Sequence, residues 1–203
     1  NRISASKLKP KIYRLLELSG AKIVDLNRRW APTGGTPVFT ERGKYTTRGW
    51  TEWTQGFQYG CAILQFDMTG DGTFLELGRQ STLRHMAPHG ALVGAHDHGF
   101  NYMSTYGNLR RLMLEGRIPF DQRELELYEL AIKASGAVQA SRWTKTAYDT
   151  GFIYSFNGPQ SLFSDTLRSL RILGIAHKLG HVLMAEGDEK ISLLSRMVEH
   201  ANT

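Results

Sequence analysis

Three observations predict an all-α fold built from repeated antiparallel helix pairs. Apolar residues recur at three- and four-residue spacing in segment after segment of the 203-residue chain. Sustained period-two alternation, the mark of half-buried strands, is missing. Turn-forming clusters interrupt the helical pattern so that helix pairs return at intervals of roughly fifty residues, which reads as a helical repeat, either a solenoid or a closed toroid.

Each element follows from local signals. Ile12, Leu15, Leu16, Ile23 and Leu26 define a first long helix that ends near Trp30, where Ala-Pro-Thr-Gly-Gly-Thr-Pro breaks it. Residues 31–48 are expected as loop. A second helix, from about Trp50 to Asp67, is stopped by Thr69-Gly-Asp-Gly72, and a third, from Thr73 to about Met86, is stopped by Pro88; together they make a tight helical hairpin. The pattern repeats with a helix from about Asp97 to Glu115, a Gly-Arg-Ile-Pro turn, and a helix from Asp121 to about Arg142 with apolar positions at Leu125, Leu127, Leu130, Ile132 and Val138. An aromatic, Gly-rich connection at 143–162 leads to a third pair, from about Ser164 to Ala185 and from Asp188 to His200. That makes about seven helices in one unit spanning residues 1–203.

Composition narrows the function classes. With 41% hydrophobic residues the chain can bury a core. It has no apolar run of membrane-spanning length, and the opening "NRISASKLKPK" lacks an apolar signal-peptide core, so no membrane partner is expected and the chain as given reads as soluble. Asn1 is not a natural start, which leaves a removed leader and secretion open. The single Cys61 excludes an intrachain disulfide and a multi-cysteine metal site; lying inside an apolar helical pattern, it is expected to be a buried structural thiol. The net charge of +6 would suit an anionic partner. The basic residues, as in Arg28-Arg29, Arg110-Arg111 and Arg168 with Arg171, are scattered without a dense block, and nucleic acid is not the expected partner.

Candidate site residues fall at one recurrent place, at or near the start of the first helix of each hairpin. In Thr51-Glu-Trp-Thr-Gln-Gly-Phe-Gln-Tyr-Gly60, Trp53 and Phe57 stand one helical turn apart, and Gly56 and Gly60 repeat at the same interval. The glycines permit close helix packing, while the rings either line a sugar-stacking cavity or are plain core. The stretch Gly94-Ala-His-Asp-His-Gly-Phe100 allows three uses. His96 and His98 as metal ligands diverge at spacing two on a helix, and His85 with His89 is interrupted by Pro88, so no metal is expected. Asp97 as a helix cap is a common use of that residue type. Asp97 as a catalytic acid needs a second carboxylate in the same pocket. Asp165 is that candidate: it follows a loop carrying Asn157 and Gln160 and precedes Arg168, with which it would pair at i,i+3 if it were only a cap.

The ordered set "WTQGFQYG", "HDHGF" and "FSDTLRSLRIL" resembles the unsaturated glucuronyl hydrolases and their unsaturated rhamnogalacturonyl hydrolase relatives. Those enzymes carry a W-x-x-G-F-x-x-G type segment, an H-D-x-G-F segment and an Asp near the start of a later inner helix, all on an (α/α)6 toroid of six helical hairpins. The match falls on Trp53, Gly56, Phe57 and Gly60, on His96, Asp97, Gly99 and Phe100, and on Asp165, within residues 50–200. The residues after Asp165 are more basic than is usual there, which points to a different substrate. A chain with about seven helices is too short to close such a ring, so only about half of the ring is expected here, the remainder coming from further sequence or another chain.

The resemblance implies a bacterial carbohydrate hydrolase, cytoplasmic or periplasmic, that needs no cofactor and degrades the unsaturated uronic acid oligosaccharides left by polysaccharide lyases. It implies Asp165 as the principal acid and base and Asp97 as its partner, with Trp53, Phe57, His96, His98, Phe100, Asn157, Gln160 and Arg168 available to contact an acidic oligosaccharide. An inverting uronidase on saturated glycans, or a noncatalytic module binding acidic polysaccharide, remains the alternative reading.

Overall fold

The computed structural model describes residues 4–30, 35–48, 53–148 and 150–203. It is all-α, made of toroid-type helical hairpins with short two-stranded ribbons between them. Helix α1 (Ala5–Trp30) carries Arg28 and Arg29 in its last turn, where cations oppose the negative end of the helix dipole. Residues 36–48, expected as loop, instead form an antiparallel hairpin of β1 (Thr36–Glu41) and β2 (Lys44–Arg48). It turns on Arg42 and Gly43, both with positive φ, the geometry that matches strand twist. Pro37 and a register shift between Pro37 and Phe39 interrupt the alternation that would have announced it.

Helix α2 (Thr54–Thr69) follows; the expected start at Trp50 lies outside the described residues. It ends on Gly70 in the left-handed conformation and reverses into α3 (Gly72–His85), which Asp71 caps by accepting from the Thr73 N–H. Pro88 opens the short α4 (Ala87–Gly90). The expected helix from Asp97 to Glu115 is two helices, α5 (His98–Ser104) and α6 (Tyr106–Leu114). They part at Thr105, whose hydroxyl bonds the Asn101 carbonyl and whose backbone leaves helical angles. Helix α7 (Gln122–Ser141) completes the second hairpin, capped by Asp121.

A ribbon of β3 (Trp143–Lys145) and β4 (Gly151–Ile153) leads to α8 (Thr166–Ser169) and α9 (Arg171–Lys178). The helix expected to run to Ala185 stops near Leu179, because Gly180 takes a positive φ and the chain enters a ribbon of β5 (Leu183–Met184) and β6 (Lys190–Ile191). The last helix, α10 (Leu193–Asn202), therefore begins five residues later than the expected Asp188, under a Ser192 cap.

The first helices of successive hairpins pack side by side, α2 on α5 and α5 on α8 and α9, while α3, α7 and α10 pair back onto them. Small residues set these contacts. The Gly56 N–H donates to Asn101 Oδ1 at 2.9 Å, and a Cβ on Gly56 would stand 2.3 Å from the Asn101 Cα. The core is apolar and closed around Ile63, Leu109, Leu112, Tyr128, Ile132 and Leu173. Cys61 is exposed, contrary to expectation. It lies with Phe57, Leu64 and Met68 on one face of α2, and all four are exposed, so this helix presents an apolar stripe outward. Tyr13, Leu15 and Leu18 of α1 are exposed as well. Among the described residues no helix is long and apolar enough to cross a membrane.

Candidate active site

Asp97 and Asp165 each precede the first helix of a hairpin segment, as the sequence predicts, yet neither side chain caps its helix. The contrast with Asp71 and Asp121 is informative. Those two have extended backbones and accept an N–H from two or three residues ahead, whereas Asp97 and Asp165 have neither feature. Their carboxylates are turned toward each other.

The join that brings them together is built on Gly99. Its N–H donates to Ser169 Oγ at 2.8 Å, and that hydroxyl donates to the His96 carbonyl at 2.7 Å. A Cβ at Gly99 would lie 2.1 Å from the Ser169 carbonyl oxygen, so α5 and α8 approach as closely as they do only because residue 99 has no side chain. His96 then stands between the acids: Nε2 is 2.9 Å from Asp165 Oδ1 and 3.8 Å from Asp97 Oδ1. Donor atoms of all three residues lie within 4.8 Å of one another. The imidazole is buried, stacked on Phe156 and edge-on to Phe163 at 6.0 Å each, while the Asp97 and Asp165 side chains keep 12% and 28% of their exposure. A ligand can therefore reach the carboxylates but not the ring behind them.

Aromatic residues extend outward from the trio. Trp53 meets Phe57 edge-on at 5.8 Å, Phe57 meets Phe100 at 5.8 Å, and the Arg168 guanidinium lies 5.2 Å over the Phe100 ring. Arg168 does not pair with Asp165 or any other acid among the described residues, so its charge is available to an anion. Trp53 and Phe57 are exposed, Phe100 is buried beneath them. Asn157 and Gln160 sit in an exposed turn next to Phe156. Gln160 Nε2 donates to the Asn157 carbonyl and Ser155 Oγ bonds Ser161 Oγ, which holds the turn shut on itself.

His98, expected among the ligand-contacting residues, is placed otherwise. Nδ1 bonds Ser135 Oγ at 2.7 Å and Nε2 bonds the Leu92 carbonyl at 2.8 Å, so both nitrogens are spent inside the core. Burial, opposed in part by the Leu92 bond, pushes its pKa down to about 4, which keeps the ring neutral. The two histidines do part, but not through helical spacing, since His96 precedes α5, which begins at His98; the second one belongs to packing.

Phe156, Phe163 and Arg142 are residues that sequence reasoning missed. Two Phe bracketing Asn157-Gly-Pro-Gln160 are the signal that was present for the first pair. Arg142 reads from sequence only as a helix end. The trio of His96, Asp97 and Asp165 has the donor spacing of a divalent-cation site as well as that of a proton-transfer site. A cavity of about 820 Å³ lies elsewhere, between α1, the β1–β2 hairpin and α2; it is lined by Lys22, Trp30, Tyr45 and Phe57, and the carboxylates are not part of it.

No family model matches the chain, and no curated protein matches its sequence. Solved structures do. The fold is similar to that of an unsaturated glucuronyl hydrolase from Streptococcus agalactiae, with a TM-score of 0.67 and 21% identity, covering 99% of this chain and 46% of that one. It is also similar to an unsaturated glucuronyl hydrolase specific for heparin, with a TM-score of 0.66, 21% identity and coverage of 92% and 46%. At this identity the likeness establishes a shared fold. The chain spans about half (46%) of the length of each of these proteins.

Proposed function

We propose that this chain carries the catalytic carboxylates of a glycoside hydrolase acting on unsaturated uronyl oligosaccharides. The observation that carries this reading is the convergence of Asp97 and Asp165 on His96 at the mouth of an aromatic-lined site, with neither acid used as a helix cap. The likeness in fold to two unsaturated glucuronyl hydrolases supports it. Asp165, protonated, gives its proton to C4 of the 4,5-unsaturated sugar. Water adds at C5 as a carboxylate takes up its proton, giving a hemiketal. Opening of that hemiketal frees the anomeric carbon to expel the neighbouring sugar. The chain supplies the proton carriers, Asp165 and Asp97; an aromatic wall for the sugar, Trp53 and Phe57; and a cation with no acidic partner among the described residues, Arg168, for the uronate or a sulfate. The remainder of the ring, from further sequence or another chain, completes the substrate pocket.

Spacing argues against the inverting alternative. An inverting glycosidase keeps its carboxyl groups roughly 6.5–9.5 Å apart to admit a water between them, whereas these approach within 4.8 Å. Asp97→Asn and Asp165→Asn in the complete protein are each expected to lower turnover of a 4,5-unsaturated disaccharide by about 100-fold or more, followed as loss of the ultraviolet absorbance of the conjugated bond. Stability should hold in both. Full activity in both variants would return the acids to a structural role, and equal turnover of the saturated disaccharide would favour the inverting uronidase instead.

A further inference from the structure

Arg142 is buried, only 3% exposed, at the carboxyl end of α7. All three of its nitrogens are spent on main-chain carbonyls from two separate segments. Nε donates to Tyr154 O at 3.1 Å and Nη2 to Ser155 O at 2.8 Å, while Nη1 donates to Val93 O. Its guanidinium also lies 4.3 Å over the Tyr154 ring. Val93 leads directly into His96 and Asp97. Ser155 leads into Phe156, which stacks on His96, and onward to Asp165. The planar fork thus clamps together the two segments that carry the proposed acids, in addition to the Gly99–Ser169 join. Five donors fixed in one plane can reach carbonyls on two sides at once; a lysine ammonium, one charge on a flexible stem, cannot.

We propose that Arg142 is a positioning residue of this site, fixing the separation of Asp97 and Asp165 without touching the ligand. The activity arm of its test rests on the hydrolase reading; a second arm does not. In the complete protein, Arg142→Ala is expected to lower kcat on the unsaturated disaccharide about 100-fold, the effect of roughly 1 Å of misplacement, with KM within about threefold of wild type. Arg142→Lys should restore part of kcat, because it returns the charge and one or two of the three bonds. Independently of activity, the imidazole Nε2–H resonance of His96 in histidine-labelled protein reports its bond to Asp165. That signal should be sharp in wild type, broadened or lost in Arg142→Ala, and intermediate in Arg142→Lys. If Arg142→Ala is not folded, as judged by a cooperative thermal transition, the Lys variant carries both readings.

Wild-type kcat in a folded Arg142→Ala or Arg142→Lys protein, a loss confined to KM, or an unchanged His96 resonance overturns the proposal. A wild-type protein with no hydrolase activity whose His96 resonance still follows Arg142 would overturn the functional reading and leave the positioning role standing.

Discussion

Replacing Gly99 by alanine tests whether the α5–α8 join sets both the fold and the site. The new Cβ would stand 2.1 Å from Ser169 O, 2.4 Å from its Cα and 2.6 Å from its carbonyl carbon, all backbone atoms that cannot rotate aside. Ordinary contact needs about 3.4 Å or more, so the start of α5 and the end of α8 must separate by roughly 1 Å. Overpacking of this kind costs about 1–3 kcal/mol. Loosening the Gly99 N–H bond to Ser169 Oγ adds about 1 kcal/mol. A total of roughly 2–4 kcal/mol should lower the melting temperature by about 5–15 °C in a protein of this size. The same displacement moves Asp97 away from Asp165, and about 100-fold should be lost from kcat in the molecules that remain folded. Gly72→Ala is the control, since a Cβ there meets nothing within 4 Å and the residue opens α3 with no positive φ. It should be neutral or stabilise by about 0.5 kcal/mol. Thermal melts and turnover of the two variants side by side decide the matter: a Gly99→Ala protein that melts with wild type and keeps its kcat refutes the close-approach argument.

Two further outcomes follow from the same geometry. His98 is held neutral in the fold by burial, with a pKa of about 4, against about 6.5 when unfolded. Its contribution is therefore intact above pH 6.5 and is lost as pH falls toward 4, by up to about 3 kcal/mol, so urea titrations at pH 7 and pH 4.5 should differ by most of that amount more in wild type than in His98→Gln; identical pH dependence in the two would sink the assignment. Trp53→Ala and Phe57→Ala remove exposed rings, so each should raise KM about fivefold to tenfold with stability nearly unchanged; a loss of stability with KM intact would mean that the rings are core.

The parts of this fold that are legible in the sequence are those fixed by periodicity and by local caps. Three- and four-residue spacing suffices to place α2, α3 and α7, because each buries a stripe against a neighbour and ends on a Gly or starts on an Asp with a local job. The β1–β2 hairpin is illegible because its pattern is broken by Pro37, and the break at Thr105 because a single hydroxyl competing for a carbonyl leaves no periodic trace. Cys61 misleads for a different reason: apolar spacing shows which face of a helix is apolar, but not whether anything in the chain covers it. At the site, Asp97 and Asp165 could be singled out from their positions, whereas the packing role of His98 and the bridging role of Arg142 could not, since their partners Ser135, Val93 and Ser155 are distant in sequence and carry no motif.

For the proposed reaction, the hydrogen bonding of His96 bears on which acid would deliver the proton. Nδ1 is buried with no hydrogen-bond partner among the described residues, while Nε2 faces Asp165 at 2.9 Å. A buried N–H left unsatisfied costs about 1–3 kcal/mol, more than a bare lone pair in an aromatic sandwich between Phe156 and Phe163. With its hydrogen on Nε2 the ring donates to Asp165 Oδ1 and leaves no buried N–H unsatisfied, so the other oxygen of Asp165 is the one open to a transferable proton. The two carboxylates approach within 4.8 Å, a range at which like charges repel in a partly screened setting. Oδ1 of Asp165 is taken by His96, and the Asp165 side chain is the more exposed of the two acids, so in the proposed reaction Asp165 is the carboxyl group better placed to meet a sugar. In the proposed reaction Asp97 is then the partner carboxylate beside the carbon at which water adds.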